Sequence, residues 1–176
     1  MDDFKSLLGL EFSPYGVLTP QQLTLLEEHY RLLLRWNQKI NLTRITSLQD
    51  AVRYHYCESL YLAARLPQDA LRIVDVGSGA GFPGIPVAIY RSDCAVDLVE
   101  SHQRKAVFLR EAARKLTNVR VLAQRAETVI DSYDWMISRA VRPEDILKLN
   151  SAPHVAVLGV KGDNLPWGEK RALFIF

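Results

Sequence analysis

The feature that most constrains this chain is a run of branched apolar residues followed at once by alternating glycines. Residues 71–76 read as a buried strand of a parallel sheet, and Gly77, Gly79 and Gly81 follow at every second position. Glycine has no Cβ atom, so the backbone can turn sharply there and another molecule can approach it closely. The pattern predicts a strand, a glycine turn and the start of a helix. A tight connection with no ligand would account for any single glycine equally well.

Two acidic residues favour a ligand at this turn. Asp75 lies at the carboxyl end of the predicted strand, which is where open α/β sheets bind ligands. Glu100 ends the next apolar strand, and it lies about 20 residues after the glycines, where a carboxylate can accept hydrogen bonds from ribose hydroxyls. The spacing G-x-G-x-G is tighter than the G-x-G-x-x-G that places a pyrophosphate on a helix N-terminus. A nucleoside without a phosphate is therefore the expected ligand.

Asp75, the glycine loop and Glu100 together resemble the S-adenosylmethionine site of Rossmann-like methyltransferases. After the glycines the chain alternates helices with strands, which predicts a parallel sheet with right-handed crossovers. A last strand is expected to pair antiparallel with the fifth. The expected fold class is α/β, a Rossmann-like methyltransferase fold with a mostly parallel sheet, an antiparallel last strand and an N-terminal helical extension. The strands after the first are predicted at residues 95–99, 119–123, 135–138, 155–160 and 171–176.

Capping patterns predict where the helices begin. Thr19 starts a capping box with Pro20 at the first helical position, and that helix is expected to run to about Lys39. A second helix is predicted from Ser47 towards Pro67. We therefore expect a helical extension over residues 1–68 and a methyltransferase core over residues 69–176, forming one compact domain. Later helices are predicted over about 84–90, after Ser101 as N-cap, and over about 143–149.

Composition narrows the class of protein. The chain has 176 residues, of which 48% are hydrophobic, enough to bury a sizeable core. It has no apolar run of membrane-spanning length and no basic signal-like start, so a soluble, cytoplasmic protein without membrane contact is expected. Cys57 and Cys94 lack any paired spacing, which predicts reduced packing residues and no metal site.

The net charge of +2 is unevenly distributed. Residues 1–30 carry five acidic side chains against one lysine, whereas residues 102–142 carry nine lysines and arginines against four acids. This distribution is compatible with a polyanionic partner. Solvated helix faces would give the same count.

Longer stretches of the chain resemble the RsmG (GidB) family of small-subunit ribosomal RNA methyltransferases. The pattern W-N-x-x-x-N-L-T covers Trp36 to Thr43, and G-F-P-G-I-P covers Gly81 to Pro86. Further matches are V-R-Y-H at residues 52–55, I-S-R-A at 137–140 and Lys161-Gly162. The resemblance implies S-adenosylmethionine as methyl donor, N7 of a guanine as acceptor, and 16S rRNA or the small ribosomal subunit as partner.

The resemblance also implies residue roles, namely cofactor contacts by Gly77, Phe82, Ala126, Glu127 and Arg139. The expected cofactor-binding set, which adds the residues of the glycine loop and the two carboxylates, is Asp75, Gly77, Gly79, Gly81, Phe82, Glu100, Ala126, Glu127 and Arg139. The Arg139 cation could hold the cofactor carboxylate or an RNA phosphate. The alternatives are an ion pair of Arg139 with Asp75 or Glu127, a helix first-turn role for Glu127, and simple packing for Phe82.

No catalytic residue is assigned from the sequence, because N7 of a neutral guanine has a free lone pair and needs no general base. Catalysis would rest on positioning, with Arg139 and Asn41 as positioning candidates. His55 could equally be a hydrogen-bonded packing residue, and Asn41 a loop cap. The candidates for RNA contact are Arg44, Arg53, His55, Arg104, Lys105, Arg125, Arg142 and Lys161.

One departure from the family concerns the C-terminal part. After Lys161-Gly162 the family usually continues through a helix and a strand, whereas residues 168–176 already look like its last strand. This departure leads to one alternative function, a shortened relative that binds cofactor or RNA without catalysis. A second and less favoured alternative is a nicotinamide-dependent oxidoreductase, because the strand, glycine loop and helix at residues 71–90 could serve that function too. A monomer is expected.

Overall fold

The sheet contains seven strands in the computed structural model, which describes residues 3–176. The strands are β1 (Arg72–Val76), β2 (Ala95–Val99), β3 (Val119–Leu122), β4 (Trp135–Arg139), β5 (His154–Gly159), β6 (Asp163–Asn164) and β7 (Ala172–Ile175). Their order across the sheet is β3-β2-β1-β4-β5-β7-β6. The first five strands are parallel, and β7 is antiparallel to β5, which confirms the predicted fold class and the predicted last pairing.

The strand order reverses between β1 and β4, which are neighbours in the sheet. From β1 the chain forms β2 and then β3 on one side of β1, and it then crosses to form β4 on the other side. Crevices for ligands open at such switch points, beyond the carboxyl ends of the strands. The glycine loop follows β1 and therefore lies at this point.

The helices are α1 (Phe4–Phe12), α2 (Pro20–Asn37), α3 (Leu48–Asp50), α4 (Glu58–Arg65), α5 (Gly84–Tyr90), α6 (Gln103–Ala112) and α7 (Pro143–Leu147). Residues Ala51–Cys57, between α3 and α4, form a π-helix. Helices of this kind are rare and frequently occur at functional sites. No helix among residues 3–176 combines the length and the apolar character that a bilayer crossing requires.

The N-terminal helices pack on one face of the sheet. The capping box at Thr19 is present, since its hydroxyl accepts from Gln22 N at 3.1 Å and its N–H donates to Gln22 Oε1 at 2.9 Å. Helix α1 was not predicted, although Phe4, Leu8 and Phe12 recur at helical spacing and are all buried. Its start signal is Asp3, whose carboxylate accepts from the Ser6 N–H at 2.8 Å as an N-cap.

Two apolar clusters cover the sheet, one on each face. The larger joins α1, α2, α4, α5 and α6 to side chains such as Ile73 and Ile137. The smaller contains Val74 and Met136 and is covered by α7 through Ile146. Strands buried on both faces are typical of parallel sheets, and this accounts for their mostly apolar sequences. The two cysteines are buried and unpaired, as predicted.

Several predicted boundaries need correction. The N-cap of α6 is His102 rather than Ser101, and it has no side-chain cap. Instead, the Glu100 carboxylate accepts from the His102 N–H at 2.8 Å. Helix α2 ends at Asn37, before the predicted Lys39. Strand β2 and helix α5 have the predicted bounds, and the ends of the other predicted elements lie within two residues of the observed ones.

The segment between β5 and β7 is short. It contains the two-residue strand β6 and turns, and no helix occurs within residues 160–171. Strand β6 pairs with β7. At Gly162, φ is +117° and an added Cβ would collide with the Leu173 backbone. The tight turn therefore requires glycine here.

Candidate functional site

The glycine loop presents an open backbone surface on one side. Gly77, Gly79 and Gly81 have φ values of +71°, +54° and +89°, which glycine adopts far more readily than other residues. A Cβ added to Gly77 would meet no atom within 4 Å, and one added to Gly79 would meet only the Gly77 carbonyl oxygen, at 3.8 Å. A Cβ on Gly81 would instead approach Ile85 Cδ1 at 2.7 Å. The first two glycines therefore face free space, and the third packs inward.

The loop is attached to the end of β2 through its backbone. Gly77 N donates to the Val99 carbonyl oxygen at 2.9 Å. Gly79 N donates to Glu100 Oε2 at 2.8 Å, and the other carboxylate oxygen accepts from His102 N. Each carboxylate oxygen has a second lone pair. Glu100 can therefore support the loop and still accept hydrogen bonds from a ligand.

A cavity of about 270 Å³ lies between this loop and the segment after β3. It brings together four of the predicted cofactor residues, Gly77, Glu100, Ala126 and Glu127, with the RNA candidate Arg125 at its rim. Its lining is Val76, Gly77, Val99, Glu100, Ser101, Gln124, Arg125, Ala126 and Glu127. A carboxylate beside apolar strand ends and free backbone suits a nucleoside, because the ribose needs acceptors and the base needs a flat apolar surface.

Asp75 lies behind the loop rather than in this cavity. Its side chain is fully buried, and Oδ2 accepts from the Gly84 N–H at 2.9 Å. Oδ1 has no hydrogen-bond partner among residues 3–176. Burial raises the pKa of this carboxyl from 3.8 to about 7. Asp75 therefore ties β1 to the start of α5, and its side chain does not line the cavity beside the glycine loop.

Phe82 is also buried, with 4% of its surface exposed. Its ring stacks on His55 with centroids 4.4 Å apart, and it contacts the rings of His29 and Tyr56 edge-on. These contacts match the packing alternative. His55 is itself only 5% exposed, and its observed contacts are with Thr43, Arg139 and Phe82.

Arg139 does not pair with Asp75 or Glu127. Its Nη1 donates to His55 Nδ1 at 2.5 Å, and burial lowers the pKa of the guanidinium to about 10. Arg139 lines a second cavity, of about 480 Å³, at the carboxyl ends of β4 and β5. Two further RNA candidates, Arg142 and Lys161, line the same cavity. The parallel strands thus bring both cavities to one edge of the sheet.

The RNA candidates other than His55 are exposed or half-buried. Three of them have acidic partners: Arg53 contacts Glu11, Arg142 contacts Asp145 and Lys161 contacts Glu144. Exposed pairs of this kind are weak, so the cations of the two more exposed pairs can exchange partners readily. Within residues 3–176, no acidic partner is found for Arg44, Arg104, Lys105 or Arg125.

Asn41 is exposed on the loop after α2. The loop is held instead by Asn37, whose Oδ1 accepts from Leu42 N and Thr43 N, each at 2.9 Å. Asn37 Nδ2 also donates to the Thr43 carbonyl oxygen at 3.0 Å. In the family pattern at residues 36–43, the first asparagine therefore organises the loop.

His29 was not identified from the sequence as part of the site. Its Nε2 lies 3.0 Å from the carbonyl oxygen of Ala80, within the glycine loop, and its Nδ1 lies 2.9 Å from the Tyr56 hydroxyl. Burial lowers the pKa of His29 to about 4, so the ring is neutral. The sequence signal for a role of His29 is its place three positions after Leu26, where a polar residue lies on the otherwise apolar face of α2.

The fold and this site define the class as a Rossmann-like fold of the methyltransferase type. Similar solved structures include an S-adenosylmethionine-dependent O-methyltransferase from Thermotoga maritima, with 17% identity and a TM-score of 0.52 over 73% of this chain and 50% of that one. Coclaurine N-methyltransferase gives 16% identity and a TM-score of 0.53 over 88% of this chain and 56% of that one. At such identities the likeness concerns the fold.

The family follows from sequence comparison. The GidB family, described as rRNA small subunit methyltransferase G, matches residues 22–162. The chain belongs to this family.

Three relatives, each called ribosomal RNA small subunit methyltransferase G, are similar over most of the chain. Those from Pelotomaculum thermopropionicum and Moorella thermoacetica are 38% and 36% identical over 89% and 90% of this chain, which covers 70% of each relative. The relative from Desulforamulus reducens is 37% identical over 74% of this chain, which covers 58% of it.

Proposed function

We propose that this chain transfers a methyl group from S-adenosylmethionine to N7 of a guanine in 16S rRNA. The observation that carries the proposal is the cavity lined by Glu100 and by Gly77, whose backbone faces open space, found in a member of a family described by small-subunit rRNA methylation. The same family membership favours methyl transfer over the nicotinamide-dependent alternative. A monomer acting in the cytoplasm is part of the proposal.

The residues around the first cavity fit a nucleoside cofactor. A side chain at Gly77 or Gly79 would enter the free space that the backbone now faces, and Glu100 has lone pairs left for ribose hydroxyls. Ala126 follows β3 on the opposite wall, where its backbone can meet an adenine edge. When bound, S-adenosylmethionine supplies an electrophilic methyl group.

The protein would contribute to the reaction by orienting the guanine base and by stabilising the charge that develops on it. N7 of a neutral guanine already carries a lone pair, so no side chain has to remove a proton. What the residues must provide is a fixed orientation of the base and a polar surrounding for the charge that develops on it. The second cavity offers apolar walls from Val157 and Leu158 with the cations Arg139, Arg142 and Lys161, a combination that suits a base and its phosphates.

The shortened segment after β5 favours a second candidate, a family member that binds cofactor or RNA without catalysis. Residues 160–171 contain no helix, and several of them, including Lys170 and Arg171, line the second cavity. A relative with a longer segment there would enclose this cavity differently.

Transfer of radiolabelled methyl groups from S-adenosylmethionine to small ribosomal subunits tests the proposal. We expect label in 16S rRNA, released as 7-methylguanine after digestion. Cofactor binding in calorimetry without transfer to subunits or to free 16S rRNA would contradict catalysis and support the second candidate. Binding of NADH in place of S-adenosylmethionine would contradict both.

A further inference from the structure

Arg139 is a largely buried cation whose observed side-chain partner is a neutral ring. Its Nη1 donates to His55 Nδ1 at 2.5 Å, and among residues 3–176 it forms no salt bridge. The nearby carboxylate of Glu58 is already engaged by both Nε and Nη2 of Arg171. Burial of a charge without an opposite charge is costly. The arrangement therefore leaves a guanidinium that an anion would stabilise.

The proton positions on His55 follow from its partners. Arginine can only donate, so Nδ1 must present its lone pair to Arg139, and the proton of the neutral ring lies on Nε2. Nε2 then donates to Thr43 Oγ1 at 2.8 Å. Thr43 Oγ1 also accepts from Ile45 N at 3.0 Å, which fixes its place. Burial, with the nearby Arg139 charge, lowers the pKa of His55 to about 2, so this state persists across the working pH range.

The ring is also fixed in its plane. It stacks on Phe82 at 4.4 Å with an interplanar angle of 8°, and it belongs to the π-helix Ala51–Cys57, whose backbone shifts side chains relative to an α-helix. The Arg139 guanidinium lies 6.0 Å from the centroid of the same Phe82 ring. Arg139 thus contacts His55 of the π-helix and lies near Phe82, and the loop after α2 holds His55 through Thr43.

We propose that His55 is a positioning residue that holds Arg139 as the receptor for an oxyanion in the cavity beyond β4. The oxyanion is either the carboxylate of the cofactor or a phosphate of the RNA, and the remaining N–H groups of Arg139 donate to it. Guanidinium groups bind both anions in the same forked geometry. This inference rests on the proposed function and assigns to His55 an indirect role in place of a direct RNA contact.

Two substitutions separate positioning from packing. His55→Phe keeps a flat ring against Phe82 but has no lone pair for Arg139, whereas Asn in His55→Asn carries an oxygen close to the place of Nδ1. We expect His55→Phe to lower kcat/KM for methyl transfer about 10- to 100-fold, the range for a lost hydrogen bond to a charged group. His55→Asn should recover most of it. His154→Phe, at the other end of the sheet in the first position of β5, serves as the control.

The constant that changes identifies the source of the anion. If the anion is the cofactor carboxylate, His55→Phe should have a larger dissociation constant for S-adenosylmethionine and an unchanged KM for RNA. An RNA phosphate predicts a raised KM for RNA and a shallower dependence of binding on salt, by roughly one phosphate. Activity of His55→Phe equal to wild type, or equal loss in both His55 variants, would overturn the positioning role.

Two further measurements keep the test decisive. If His55→Phe does not fold, Thr43→Val can be used in its place, because it removes the acceptor for His55 Nε2. We expect it to change the dissociation constant for S-adenosylmethionine or the KM for RNA in the same direction, by a smaller factor. Nitrogen NMR of the wild-type His55 ring does not depend on activity. We expect Nε2 protonated and Nδ1 unprotonated near neutral pH, and a proton on Nδ1 would contradict the inference even if no methyl transfer were found.

Discussion

Gly79 is the residue at which the cofactor proposal can be tested most locally. Its φ of +54° would strain a branched side chain, and such a side chain would project into the open space beside the glycine loop. We expect Gly79→Val to abolish S-adenosylmethionine binding in calorimetry while the circular dichroism spectrum is kept, at a cost in stability of roughly 1–3 kcal/mol. Gly9→Ala in α1, where an added Cβ meets no atom within 4 Å, is the matched control. Wild-type affinity in Gly79→Val would remove the loop from the site.

Glu100 is expected to hold ribose hydroxyls in addition to the Gly79 N–H. Glu100→Ala should weaken cofactor binding by roughly 1–3 kcal/mol, the range for hydrogen bonds to a charged acceptor. Glu100→Gln retains one carbonyl acceptor and should lose less. Calorimetry of both variants measures the difference, and an unchanged dissociation constant in Glu100→Ala would refute the ribose contact.

Asp75 predicts a particular dependence of stability on pH. Because burial raises its pKa to about 7, the unfolded chain ionises first as pH rises from about 4, and the native state progressively loses stability up to about pH 7. Asp75→Asn cannot ionise. The free energy of unfolding of this variant, relative to wild type, should therefore rise with pH, by at most about 4 kcal/mol. Urea titrations at about pH 4.5, near the lower end of that window, and at about pH 8, above it, measure this, and a constant difference would contradict it.

At the scale of elements, the buried pair of Glu58 and Arg171 joins α4 to the segment before β7. The Glu58 side chain is 1% exposed, and Arg171 contacts both of its oxygens. Arg171→Met should therefore cost about 3 kcal/mol in the free energy of unfolding, because it leaves a buried carboxylate alone. Adding Glu58→Gln should recover part of that loss. A strictly additive double-mutant cycle in urea would show that the two groups do not interact.

The elements differ in how far the sequence reveals them. The strands β1, β2 and β4 were predictable because burial on both faces makes them mostly apolar. The cap at Thr19 was predictable because a capping box acts within four residues. The π-helix was not predicted, and within it His55 and Tyr56 contact Phe82, a residue distant in sequence. Ser101 failed as a cap because Glu100, one residue earlier, took its place.

At the scale of the whole molecule, the sequence indicated which residues approach the sheet edge but not which way each one points. Gly77, Glu100, Ala126 and Glu127 share a cavity as expected. The orientations of Asp75 and His55 could not be foreseen, because they depend on the Gly84 N–H and on Arg139, which are brought together only by tertiary packing. Spacing predicts neighbours along one element and says little about contacts between elements.

The two cavities lie at one edge of the sheet, and the cofactor is proposed to bind in the one beside the glycine loop. A crystal structure of this chain grown with excess S-adenosylhomocysteine tests it most directly. We expect the adenosyl group between the glycine loop and the segment after β3, with both ribose hydroxyls on Glu100. Density for the ligand elsewhere, or a cavity closed by side chains despite saturating ligand, would contradict the account.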